Sequence, residues 1–268
     1  MRITEIVLNL REPASAITHG LWFLLALPLL YRLRKQAGDP VKKCSVTIYG
    51  TTLLCCAAGS TVFHAVHGTP ADIEWYNRLD HMGIGLLIAG TFTPIGVHLL
   101  EETTGRRTLM LIWLAALSAA VLRMTVEHIP KPIATSIYLA MGWSAIPGFF
   151  HLSRNVAWKE TRMIAEGGLF YTIGALIHWR DSPDPLPGIF GAHDLFHVFV
   201  MLGSLRHFQF MKRVVLPASI DSALAIRLVK WRLLSDTDLV QGIGQPGIPK
   251  PYFWRVRQLN GRKQRNKV

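Results

Sequence analysis

Residues 44–71 read CSVTIYGTTLLCCAAGSTVFHAVHGTPA, 28 positions without an Asp, Glu, Lys or Arg. A helix needs about 20 mostly apolar residues to cross the hydrocarbon core of a bilayer. Working outward, 13–31, 81–100 and 132–153 are charge-free runs of 19, 20 and 22 residues, and 108–122 adds one of 15. The chain of 268 residues is 50% hydrophobic and 17% charged, and its charges fall between these runs rather than through them. Soluble domains do not carry several such runs. The expected fold class is an all-α integral membrane protein, a seven-transmembrane-helix bundle with an intramembrane metal site.

The expected organisation is a lead-in over 1–12, a membrane domain over 13–212 and a basic, partly disordered C-terminal extension over 213–268. The spans are placed near 13–31, 45–66, 79–100, 108–123, 132–150, 163–179 and 192–211. Gly38-Asp39-Pro40 and the Pro183, Pro185, Pro187, Gly188 cluster mark turns between them. The first run lacks an A-x-A-like cleavage site and reads as a retained span, not a signal peptide. Cys44, Cys55 and Cys56 read as small apolar filler. Gly167, Gly168, Gly174 and Ala175 would let the sixth span approach its neighbours closely. Trp22, Trp75, Trp113, Trp143, Trp158 and Trp179 read as an aromatic belt.

Formal net charge is +12, and 214–268 carries 10 Lys/Arg against 3 Asp/Glu. With no recognition motif beside it, this basic tail reads as a partner of anionic lipid or a topology signal, not of nucleic acid. Leu224–Leu234 reads as an amphipathic surface helix, 241–251 as irregular and 255–268 as disordered. The loops facing away from the N-terminus hold 10 Lys/Arg, against 6 on the N-terminal side. The positive-inside rule therefore puts the C-terminus of this multi-pass protein in the cytoplasm.

Spans that alternate in direction bring the end of the second, the start of the third and the start of the seventh to one face. Those ends carry Ser60, His64, Asp80, His193 and His197. His193 and His197 are four residues apart and so lie one above the other on a helix. Three neutral imidazoles with one open position match a catalytic zinc site, and zinc lowers the pKa of a water it binds toward about 7. Asp80 could act as the base for that water or as a ligand, and Ser60, one turn before His64, could orient His64 or Asp80. The affinity order does not exclude copper or nickel, but no thiolate or thioether is implied and zinc is the default. The plain alternative is a set of hydrated, unliganded side chains at the membrane interface. Glu12 and His19 read first as partners in an interfacial hydrogen bond and could also pack against the site, and His178 could line the same cavity, whereas His67, His98, His128, His151 and His207 read as exposed residues near span ends.

Several motifs together resemble the hemolysin III / progestin-and-adipoQ-receptor family. They are Glu12-Pro-Ala-Ser15-Ala-Ile-Thr18-His19, Ser60-Thr-Val-Phe-His64, Leu79-Asp80-His81, Ile88-Ala-Gly90-Thr91-Phe-Thr93-Pro94, Gly167-Gly168-Leu-Phe-Tyr171-Thr-Ile-Gly174 and His193-Asp-Leu-Phe-His197. The resemblance covers about 10–212. It implies seven membrane helices, zinc held by His64, His193 and His197, Asp80 beside the metal and Ser60 in support. Ser15, Phe63 and His178 depart from the family's usual Asn, Tyr and Tyr. The adiponectin receptors place the N-terminus and the zinc site on the cytoplasmic side, opposite to the orientation from charge. The resemblance suggests ceramidase-like amide hydrolysis, with a lipid or acyl-chain substrate entering between helices. A receptor or sensor with structural zinc and a membrane pore are the alternative functions.

Overall fold

The computed structural model describes residues 9–218; the expectations for the tail from residue 219 onward lie outside them. The fold is a seven-helix transmembrane bundle built from α1 (Pro13–Gln36), α2 (Pro40–Ala65), α3 (Pro70–His98), α4 (Glu102–Thr125), α5 (Lys131–Trp143), α6 (Ile146–Asn155), α7 (Trp158–Arg180) and α8 (Ala192–Phe210). A π-helical turn over Met211–Val215 extends α8. Helices α1, α2, α4 and the pair α5–α6 are long and apolar enough to cross a membrane by composition. The remaining three, α3, α7 and α8, carry more of their polar and charged groups within the span.

Helix starts are written locally. Pro13, Pro40 and Pro70 stand in the first turn of α1, α2 and α3, where the missing N–H is not needed. Asp39 accepts a hydrogen bond from the Lys42 backbone at 2.7 Å. Thr69 and Asp72 form a reciprocal capping box, which starts α3 at Pro70 rather than near Leu79 as expected. The fifth span, expected as one helix over 132–150, is two. It breaks at Ser144 and Ala145 because Pro147 has no N–H to return to the turn before it. The Ser144 hydroxyl covers a carbonyl at the break, donating to Met141 O at 2.6 Å.

Helices α8, α1, α2, α3 and α4 pack in sequence around the bundle, and α7 pairs with α8. The α5–α6 pair closes the ring more loosely, between α3–α4 and α7. Leu30, Leu33, Tyr49, Leu53, Leu152, Phe210, Met211 and Val215 form the buried apolar core toward one end. Leu24, Leu25, Met110, Leu111, Leu114, Leu117 and Val121 lie outside, as an apolar solvent requires. Trp22, expected in the interfacial belt, is buried in the core, and the Trp113 indole turns to Thr93 at 3.1 Å. Two crossings depend on glycine. A Cβ at Gly83 would lie 2.9 Å from Cys56 Cα, so α2 and α3 meet there backbone to backbone; a Cβ at Gly203 would lie 2.9 Å from the Tyr171 ring of α7.

Candidate metal centre

The site is made by helix ends. His64 lies in the last turn of α2, His193 and His197 in the first two turns of α8, and Asp80 in the third turn of α3. One imidazole nitrogen from each of His64, His193 and His197 lies within 4.8 Å of the others. His193 Nε2 and His64 Nε2 are 3.2 Å apart. Two imidazoles bound to one tetrahedral zinc at their usual bond lengths sit about 3.3 Å apart at the nitrogen. The donor set therefore fits a metal ion, and these three residues could hold one. His64 is 1% exposed and His197 2%, so a cation between them would be shielded from water on the protein side.

The surrounding residues hold this arrangement from two sides. Glu12, at the cap of α1, accepts from His64 Nδ1, and its backbone N–H donates to His64 O at 2.9 Å. The imidazole beside it holds the Glu12 carboxyl below the usual carboxylate range. Arg11 pairs with Glu12 at 3.2 Å and lies 4.5 Å over the Phe63 ring. Ser15 donates to Asp194 at 2.5 Å, and Asp194 also accepts from Gly191 N–H at 2.8 Å, which fixes the start of α8. The His19 ring packs 3.9 Å from that of His197. His178, on α7, brings Nδ1 to 3.2 Å from His193 Nδ1.

Asp80 and Ser60 are both buried and lie side by side on facing helices. A Cβ at Gly59 would be 3.7 Å from Asp80 Cα, which shows how closely the two helices run at this level. The Ser60 hydroxyl makes no hydrogen bond of good geometry, and neither nitrogen of His19 nor Nδ1 of His197 finds a partner among the described residues. His81 stays outside the triad, with Nδ1 donating to Asn77 O at 2.9 Å, but lines a cavity that the triad also borders. His98, expected exposed, is buried at the other end of the bundle and shares a hydrogen bond with Ser45 at 2.9 Å. His207 packs against Tyr171 instead of facing water. Sequence spacing brings His64, Asp80, His193 and His197 together, but not the Glu12 contact. That contact depends on how the lead-in folds back over the end of α2, for which the residues carry no periodic signal.

The cluster borders a cavity of about 1070 Å³. Its wall changes from His64, Asp80, His193 and His197 at one end to Ile95, Leu100, Leu152 and Ile164 at the other. Asp80 and Ile95 are fifteen residues apart on α3, roughly 22 Å at 1.5 Å per residue. Trp143, Ile146, Phe150 and Leu169 also line it and are exposed on the outside, so the gap between α5–α6 and α7 faces the lipid. The Trp143 indole bridges that gap, donating to Thr172 at 3.1 Å.

The family described as haemolysin-III related matches residues 8–208. The chain belongs to the haemolysin-III-related family. Among its haemolysin-III relatives, Hemolysin-3 of Bacillus cereus is 30% identical over 222 residues, 81% of this chain and 97% of that protein. The Hemolysin-3 homolog of Bacillus subtilis is 31% identical over 202 residues, 74% and 91% of the two chains. A more distant relative is the adiponectin receptor protein of Drosophila melanogaster, 22% identical over 173 residues, 58% of this chain and 39% of that one.

Proposed function

We propose that this haemolysin-III-related chain is a zinc-dependent membrane hydrolase of lipid amides or esters. The observation that supports this most is a three-imidazole donor set, with a carboxylate beside it, at the polar end of a long apolar cavity. His64, His193 and His197 would hold the zinc. Zinc so held supplies Lewis acidity and lowers the pKa of water near it. Asp80 takes the proton from the attacking water and returns it to the leaving amine or alkoxide as the carbonyl–heteroatom bond breaks. Ser60, which lies beside Asp80, would turn its hydroxyl to the carboxylate and position it. The cavity takes the acyl chain, which enters from the lipid between α5–α6 and α7 and excludes water from the apolar end. The Bacillus relatives support a bacterial inner membrane location, and the charge bias of the loops supports a cytoplasmic C-terminus; a reporter fused there and active only in the cytoplasm checks it.

The test is turnover of a panel of ceramide-type amides and lipid esters by purified protein in lipid nanodiscs. Wild type should release fatty acid. His197→Ala should lose both metal and activity, and Asp80→Asn should keep its metal and lose at least about 100-fold in turnover. No turnover by a metal-loaded, folded wild type would sink the hydrolase reading. The likeness to an adiponectin receptor supports a second reading, a lipid sensor with structural zinc, which that result would favour. The name of the Bacillus cereus relative supports a pore, for which saturable, protein-dependent dye release from liposomes is the sign.

A further inference from the structure

A neutral imidazole has one N–H and one lone pair. Glu12, as a carboxylate, can only accept, so the hydrogen of neutral His64 sits on Nδ1 and its Nε2 is bare. That bare Nε2 faces His193 Nε2 at 3.2 Å. Two arrangements are open to His193. It can carry hydrogen on Nε2 and donate to His64, which closes the site on itself. Or it can carry hydrogen on Nδ1 and donate to His178 Nδ1 at 3.2 Å, which leaves two lone pairs facing each other. Facing lone pairs repel unless a cation lies between them.

We propose that Glu12 and His178 are positioning residues that hold His64 and His193 in the tautomer with hydrogen on Nδ1, so that both turn Nε2 to one metal ion. The proposal rests on the reading that the histidine triad holds a metal, and goes beyond it by assigning the outer partners. Both partners are held in place themselves. Glu12 is anchored through its backbone to His64 O and through its carboxylate to Arg11. His178 is stacked on Phe196, with ring centroids 4.9 Å apart. Among the described residues His197 has no such partner for Nδ1, and it is oriented by packing against His19. The outer shell is therefore built on two ligands of three. Outer partners of this kind commonly change metal affinity 10- to 100-fold.

The experiment compares full-length wild type, Glu12→Ala, Glu12→Gln and His178→Phe in detergent. Zinc affinity is read by chelator competition, the Co(II) visible spectrum reports ligand geometry, and thermal unfolding of the metal-free proteins is the control. Glu12→Ala and His178→Phe should each weaken zinc about 10- to 100-fold and alter the Co(II) spectrum, with metal-free unfolding unchanged. Glu12→Gln keeps an acceptor oxygen and should lose less than Glu12→Ala. Should Glu12→Ala fail to fold, His178→Phe, which keeps the stack on Phe196, decides. Wild-type affinity and spectrum in the Ala and Phe variants would overturn the proposal while leaving the triad standing. A wild type that binds no metal would overturn the triad and the proposal together.

Discussion

The two ends of the bundle differ in what their buried polar groups face. Lys42 and His64 are on one helix, 22 residues and so roughly 33 Å apart. At the Lys42 end the ammonium and Ser45 meet chain groups, although the Tyr49 hydroxyl and His98 Nδ1, away from the cavity, find no partner among the described residues. Lys42 Nζ donates to Leu216 O at 2.9 Å and to Ala218 O, and Ser45 bridges to His98. At the His64 end, the Ser60 hydroxyl, His197 Nδ1 and both His19 nitrogens lack partners among the described residues, and two imidazole nitrogens face each other. Polar groups that satisfy each other hold structure. Donors and acceptors left unmet around a cavity call for a ligand. The Lys42 end fastens the chain beyond α8 to the start of α2, whereas the His64 end gathers three imidazoles that could hold a metal ion.

If the contrast is real, the two ends should fail differently. Lys42→Met removes the ammonium from two buried carbonyls, and leaving these unmet should lower stability by about 2–4 kcal/mol. Denaturant or thermal unfolding reads this, and zinc content should stay at the wild-type value. Loss of zinc in that variant would show that the ends form one unit and would break the comparison. A smaller effect comes from between them. Gly83→Ala places a methyl 2.9 Å from Cys56 Cα, which forces α2 and α3 apart. The expected loss is about 1–3 kcal/mol of stability, together with weaker zinc binding, because His64 and Asp80 ride on these two helices. Gly168→Ala is the control: its Cβ meets nothing within 4 Å, and it should leave zinc affinity unchanged.

Much of the fold could be read from residues 44–71 and the other charge-free runs, because a bilayer demands long apolar helices and tolerates little else. Counting alternate spans then brings His64, Asp80, His193 and His197 to one level, since helix direction is all that step requires. What escaped was decided by fine contacts. The Pro147 break was readable from a missing N–H, but at the resolution of hydropathy it merged into one span. The early start of α3 was carried by Thr69 and Asp72, a polar pair that reads as loop until the reciprocal hydrogen bonds are seen. The burial of His98 and His207 depended on Ser45 and Tyr171 of other helices. The Glu12 contact depended on a chain reversal without periodicity. The donor set was thus legible in the sequence, and Glu12 and His178 could be placed near it, while the nitrogens these two face could not.

The most direct test of the account is metal content by mass spectrometry on tag-free, detergent-purified protein beside the His193→Ala/His197→Ala double variant. About one zinc per wild-type chain is expected, as a single three-imidazole donor set would hold, and none in a folded double variant. A well-folded wild type without metal, or a double variant that keeps its zinc, would contradict it.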